Sequence, residues 1–210
     1  MLRLLFPRKC MLCRKLLRRG ELDLCPACRE ETEPWRDPKR KYQFLDSFTA
    51  VWYYEGYVRS SILRFKFYRA THLAGGFGRR LALRLQDRFP EDFDLVTWVP
   101  VSTLRKLRRG YDQSALLAKA LGKELGTEPV STLKKIRNNK TQSSLHDSAH
   151  RRANVLGVYR VVNADAVRGK RVLLVDDVFT TGATAGECAR MLLTAGAKEV
   201  HCAAIAAARK

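Results

Sequence analysis

The stretch 171-RVLLVDDVFTTGATAGECARMLLTAGA-197 decides the fold. Its first part, 172-VLLV-175, is a continuous apolar run, which suits a strand buried on both faces in a parallel sheet. Two aspartates, Asp176 and Asp177, follow at once. From Ala183 the pattern changes to helical spacing, with Ala185, Ala189, Leu192 and Leu193 on one side and Gly196 placed to stop the helix. The next segment, 198-KEVHCAAIAAA-208, supplies another strand. The unit is strand, loop, helix, strand, and in open α/β sheets ligands bind beyond the carboxyl ends of the strands. Asp176, Asp177 and the loop 178-VFTTGAT-184 fall at such an end.

The loop chemistry suggests the ligand. Thr180, Thr181 and Thr184 offer hydroxyls, Gly182 admits close approach to backbone N–H groups, and the new helix presents its positive end. Together they form an anion cradle suited to a phosphate monoester. The carboxylates disfavour that anion, but they can accept hydrogen bonds from vicinal hydroxyls or help hold a Mg²⁺ that carries a second phosphate group. A sugar with hydroxyls in the middle and phosphates at both ends satisfies both halves. The segment 173-LLVDDVFTTGAT-184 resembles the phosphoribosyl pyrophosphate (PRPP) signature of type I phosphoribosyltransferases. The resemblance implies that Asp176 and Asp177 are the ribose-binding and candidate catalytic pair. It gives the 5′-phosphate to Thr180, Thr181, Gly182, Ala183 and Thr184.

At 210 residues the chain has room for one medium domain and a small appendage. No apolar run approaches the ~20 residues of a membrane helix, and 1-MLRLLFPRKC-10 is too short and too charged for a secretory signal. The expected location is cytoplasmic. Forty basic residues against 21 acidic give a net charge of +19, which favours polyanions: nucleic acid, anionic lipid or phosphorylated metabolites. The excess is local. Residues 56–90 hold eight Arg or Lys against one acid, and 105-RKLRR-109 is almost wholly basic.

Cys10, Cys13, Cys25 and Cys28 form two C-x₂-C knuckles separated by eleven residues. This spacing predicts a tetrahedral S₄ site for a structural Zn²⁺; two disulfides or an iron–sulfur cluster are the alternatives. The segment has little apolar matter, so metal would supply its folding energy. Cys188 and Cys202 read as small core residues.

The segment 30-EETEPWRDPKRK-41 reads as a linker, which divides the chain into a zinc-binding module with linker, 1–40, and an α/β domain, 41–210. Residues 46–56 read as a strand, 57–70 and 73–89 as helices with basic flanks, and 95–101 as a second apolar strand. The segment 102–114 reads as a guanidinium-rich loop, in which Arg105, Arg108 and Arg109 could clamp a pyrophosphate, ahead of a helix at 114–125. A long polar connection, 132–157, reads as a lid or binding loop. In it His146 and His150 are spaced i, i+4, read here as polar loop residues.

Beyond the signature, 54-YEGYVRSSILRFKF-67 and 99-VPVSTLRKLRRGYDQS-114 resemble segments of the ComF family (ComFC- and GntX-like proteins). So does the pairing of a Cys₄ knuckle with a PRPP domain, and so do Gln142, Leu145, Arg151 and Asn154 in the long connection. Where that family usually has Asn, this chain has Asp112, a negative charge beside Arg108 and Arg109. The resemblance implies a type I phosphoribosyltransferase-like parallel-sheet α/β fold with an N-terminal zinc module. It also implies PRPP with Mg²⁺ as ligand, and a part in natural transformation alongside DNA-uptake proteins, handling single-stranded DNA.

Three readings follow. In one, the chain is an enzyme moving ribose 5-phosphate from PRPP to an acceptor. In another, favoured here, it is a PRPP-binding accessory factor in DNA uptake whose basic surface, including Lys66, Arg105, Arg108 and Arg109, holds single strands. Trp52, Tyr53, Tyr54, Phe65, Phe67 and Tyr68 would then be candidate stacking platforms. The third is a PRPP-sensing regulator, for which the sequence offers no helix-turn-helix.

Overall fold

A computed structural model describes residues 7–89, 93–137 and 156–209. Four parallel strands form the main sheet: β1 (Ser47–Tyr53), β2 (Leu95–Trp98), β5 (Arg171–Phe179) and β6 (Glu199–Ala207), in the spatial order β1-β6-β5-β2. The two central strands, β5 and β6, are each nine residues long and pair from Arg171↔Glu199 to Phe179↔Ala207. Residues along a strand alternate between faces. Leu173, Val175, Ala203 and Ile205 therefore enter one core, while Val172, Leu174, Cys202 and Ala204 enter the other. Both faces need cover, and helices provide it.

On the first face lie α2 (Gly56–Phe67), α3 (Leu73–Arg88) and α5 (Gln113–Leu125). Helix α3 buries Leu73, Phe77, Leu81 and Leu85, the i, i+4, i+8, i+12 stripe expected of a helix with one apolar face. It meets α5 closely at Gly78, where a Cβ would lie 2.7 Å from the carbonyl carbon of Ala120 and 2.9 Å from the amide nitrogen of Leu121. On the second face lie α6 (Ala183–Thr194) and a two-stranded antiparallel ribbon, β3 (Leu133–Lys135) with β4 (Tyr159–Val161).

Three elements differ from the sequence reading. The strand read at 172–175 runs on to Phe179, because Asp176, Val178 and Phe179 keep pairing with Ala204, Ala206 and Ala207. The carboxylates thus belong to the sheet and are not solvated at its end. The stretch 102–114 is no open loop: residues 103–109 form helix α4 (Thr103–Arg109). Ser102 caps it by accepting from the Arg105 amide, and Gly110 ends it at φ +84°. Finally, the 30–41 segment does not hang free. Trp35 is buried, its N–H donates to the Val51 carbonyl at 3.0 Å, and its own carbonyl accepts from Arg84.

The N-terminal module, with its short helix α1 (Pro26–Glu31), shares the first core: Met11, Leu12 and Leu24 are buried with the α2 and α3 side chains. Arg79 holds Asp23 through two hydrogen bonds of 2.5 and 3.0 Å. Arg64 donates to the carbonyls of Met11 and Leu12 at 2.7 and 2.9 Å.

Alanine favours helix over glycine by roughly 1 kcal/mol, yet a Gly78→Ala variant is expected to be less stable by about 1–3 kcal/mol, because the methyl group must push α3 off α5. Urea denaturation reads this directly; an unchanged midpoint would disprove the close packing at Gly78.

Candidate functional site

The carboxyl ends of β5, β2 and β1 open into a cleft of about 450 Å³. Strand β5 delivers Asp176 and Asp177 to it. Asp177 is 3% exposed, and its Oδ1 lies 2.7 Å from Lys66 Nζ on α2. Its Oδ2 is buried with no hydrogen-bond partner among the described residues. An unsatisfied buried carboxylate oxygen carries a desolvation cost, and a donor arriving from a ligand relieves it. Asp176 Oδ1 accepts from the Asp177 amide at 2.8 Å and from Ser114 Oγ at 3.3 Å. Burial, and then the neighbouring charge of Asp177, push the Asp176 carboxyl up to about 8, with Lys66 acting against them.

Beyond Phe179 the chain turns sharply into α6. Gly182 takes φ +82°, and a Cβ there would lie 2.6 Å from Phe179 Cζ, so only glycine fits. Phe179 cannot retreat, because its ring stacks on Phe48 with centroids 3.7 Å apart. Thr181 Oγ1 accepts from the Ala183 amide at 3.3 Å, which tightens the turn. Thr180 and Thr184 line the cleft directly, while Thr181, Gly182 and Ala183 shape the turn between them.

Of the three arginines read as a clamp, Arg105 and Arg109 line the cleft; Arg108 is exposed and does not. Arg109 donates to Gln113 Oε1 at 2.6 Å and lies 4.7 Å from the centre of the Phe67 ring. Burial lowers its guanidinium below the ordinary arginine value, with Asp177 acting against that shift. Asp112 proves to be the cap of α5: its carboxylate accepts from the Ala115 amide at 3.0 Å and the Val101 amide at 3.2 Å. Both carboxylate oxygens accept here, so Asp satisfies two amides where the side-chain oxygen of Asn would offer only one acceptor atom.

Lys66, read from sequence as a nucleic-acid candidate, points into the cleft. The sequence reading missed two contributors, Arg59, which joins it there, and Lys135. Lys135 is buried on β3, 5.4 Å from the Tyr159 ring centre, and burial followed by Arg105 lowers its ammonium to about 8. The signal for Lys135 was the alternation in 133-LKK-135, which puts it on the same side as buried Leu133. Among the described residues the cleft wall thus holds five cationic side chains, Arg59, Lys66, Arg105, Arg109 and Lys135, against two aspartates. Gln142, Leu145, His146, His150, Arg151 and Asn154 lie outside the described residues.

The four knuckle cysteines bring their Sγ atoms within 4.8 Å of one another, with Cys13 and Cys25 at 3.6 Å. A tetrahedron with Zn–S bonds near 2.3 Å needs sulfur–sulfur edges of about 3.8 Å, so the thiolates fit zinc. All four positions are filled by protein, which makes the site structural. Cys188 and Cys202 are both fully buried in the second core, as read.

Sheet, acidic pair, glycine turn and cysteine cluster define a phosphoribosyltransferase-type domain carrying a zinc ribbon. Family comparison agrees: residues 111–210 match the phosphoribosyl transferase domain and residues 1–39 the double zinc ribbon domain. The four cysteines of the latter segment suffice for one metal site. The chain is 30% identical over 181 residues to the DNA utilization protein YhgH of Escherichia coli O157:H7, covering 84% of this chain and 74% of that one. It is 26% identical over 196 residues to the competence protein ComFC of Bacillus subtilis (strain 168), covering 89% and 78%. Among solved structures, the glutamine PRPP amidotransferase from B. subtilis complexed with ADP and GMP is similar, with TM-score 0.47 and 24% identity over 68% of this chain. The match spans only 30% of that chain. The chain belongs to the ComF family.

Purified protein should carry about one zinc per chain, and Cys25→Ser should lose both zinc and thermal stability. Elemental analysis with a melting curve checks this; zinc-free protein of undiminished stability would contradict it. A second expectation concerns pH. Asp176 has a folded value raised above its unfolded 3.8. Its favourable contribution is therefore complete below pH 3.8 and is lost as pH rises toward 8. Asp176→Asn removes this titration, so its stability should gain on that of the parent across this window by up to about 1.4 kcal/mol per pH unit. Parallel stability–pH curves for parent and variant would rule the shift out.

Proposed function

We propose that the cleft binds PRPP with Mg²⁺, and that the protein acts in DNA uptake and handling, with single-stranded DNA as a partner. The observation that carries the ligand assignment is the buried, unpartnered Oδ2 of Asp177 beside Asp176, above a glycine turn at the start of α6. In this reading the ribose hydroxyls donate to Asp176 and Asp177. The 5′-phosphate rests on Thr180, Thr181, Gly182, Ala183 and Thr184, and the pyrophosphate faces Arg105 and Arg109. Lys66, held on Asp177, also faces the anionic ligand; Arg108, lying away from the cleft, has no part in it. Mg²⁺ bound with the ligand would lower the charge of the pyrophosphate, and a cation near Asp176 would favour its carboxylate form. The role in DNA handling is supported by the relatives named for DNA utilization and for competence.

A second reading, transfer of ribose 5-phosphate to an acceptor, is favoured by Asp176 and Lys135, both displaced to about 8 within one cleft. Perturbed groups of this kind gather at catalytic centres. Expulsion of pyrophosphate would then be assisted by the cationic wall.

Calorimetric titration tests the first reading. Mg·PRPP should bind the parent, and Asp176→Asn with Asp177→Asn should weaken it at least roughly tenfold, each lost charged acceptor being worth about 1.5–3 kcal/mol. The conservative replacement matters because Asp177 is buried. Equal affinity in parent and double variant would remove the ribose assignment, and pyrophosphate release without added acceptor would favour the second reading.

A further inference from the structure

A second cavity, about 590 Å³, lies outside the cleft, between the zinc knuckles and the turn from α2 to α3. Among the described residues its lining includes Lys9, Arg14, Arg64, Arg69 and His72 and no acidic residue. Arg64 spends its guanidinium on the knuckle carbonyls, and burial together with repulsion from Arg14 lowers it below the ordinary arginine value. Lys9, Arg14 and Arg69 are exposed and have no carboxylate partner among the described residues. A zinc ion with four thiolates carries a formal −2, which leaves four Lys and Arg side chains at a net +2 even when the metal is counted. Both Arg14 and Arg69 adopt left-handed backbone, at φ +70° and +54°, a conformation unfavourable for side chains other than glycine. Tyr68 borders the cavity at 76% exposure.

The stacking platforms read from sequence sort accordingly. Trp52 and Phe65 are core residues, Tyr54 and Phe67 belong to the cleft, Tyr53 lies 4.2 Å from the Arg209 guanidinium, and Tyr68 stands beside the cations of this groove. Of the candidate nucleic-acid residues, Lys66 is committed to Asp177 and takes no part in this groove.

We infer that single-stranded nucleic acid binds in this groove, its phosphates on Lys9, Arg14 and Arg69 and a base stacked on Tyr68. Cations with no acidic partner among the described residues, next to an exposed aromatic ring, are a combination that holds single strands without reading sequence. For a single strand, the ring supplies a stacking surface for a base, and the cations supply contacts for the phosphates. The inference rests on the proposed role in DNA handling and places that role outside the PRPP cleft.

Fluorescence anisotropy with a labelled oligothymidylate of about 20 nucleotides, long enough for such a site, provides the test. Arg14→Gln with Arg69→Gln should flatten the log–log salt dependence by about 1.4 units, two contacts at about 0.7 each. Tyr68→Ala should weaken binding about fivefold or more while Tyr68→Phe stays near the parent. Arg105→Gln with Arg109→Gln should leave the oligonucleotide affinity within about twofold. Groove variants that keep zinc and bind like the parent would overturn the placement, as would loss of DNA confined to the Arg105/Arg109 variant. If Arg14→Gln with Arg69→Gln instead releases phosphatidylglycerol vesicles and Tyr68→Ala changes nothing, the groove serves a lipid surface and the inference fails. A parent that binds no oligonucleotide at moderate salt would remove the DNA reading itself.

Discussion

Two adjacent aspartates buried in a sheet repel each other when both are charged; here Asp176 keeps its proton to about pH 8, and Asp177 is held against a cation. Lys66 supplies that cation, 2.7 Å from Asp177. Much of the molecule is arranged to keep it there. The last turns of α2 are fixed from three directions: Lys66 reaches the cleft, Arg64 holds the knuckle carbonyls, and Tyr111 donates its hydroxyl to the Phe65 carbonyl. The zinc module therefore does more than cap one end of the chain. Its Met11 and Leu12 carbonyls are part of the support that aims Lys66.

The charge distribution is lopsided in a way that suits an anionic ligand. Among the described residues, five cationic side chains against two aspartates leave a formal surplus of three positive charges on the cleft wall. Lys135 responds to this crowding, its ammonium lowered by burial and by Arg105. Asp176 responds to the opposite pressure and holds its proton to about pH 8. A ligand with hydroxyls for the carboxylates and phosphates for the cations would relieve both. That complementarity links the sheet end to the proposed PRPP chemistry more directly than the ComF relationship does.

Much of this was legible in the sequence. The apolar run before Asp176, the glycine turn and the helix after it gave the strand–loop–helix unit, and the cysteine spacing gave the knuckles. What escaped was tertiary. Lys66 reads as one of several basic residues on a helix, and only packing shows that it faces Asp177 while Arg64, two positions earlier, faces the zinc module. Asp112 reads as an added charge near arginines; in place, its oxygens cap α5. The extent of β5 was underestimated because aspartate is unfavourable in strands, a preference overridden here by continued pairing with the alanines of β6. Helix α4 was hidden by its density of arginines, although Ser102 and Gly110 bracket it as cap residues should.

The measurement closest to the central claim is a calorimetric comparison of Mg·PRPP with its two halves, ribose 5-phosphate and Mg·pyrophosphate. If carboxylates, glycine turn and cationic wall act on one ligand, the whole should bind at least roughly tenfold more tightly than either half, and each half should displace it. Pyrophosphate that binds as tightly as PRPP would contradict the account, because the carboxylate pair and the turn at Gly182 would then contribute nothing.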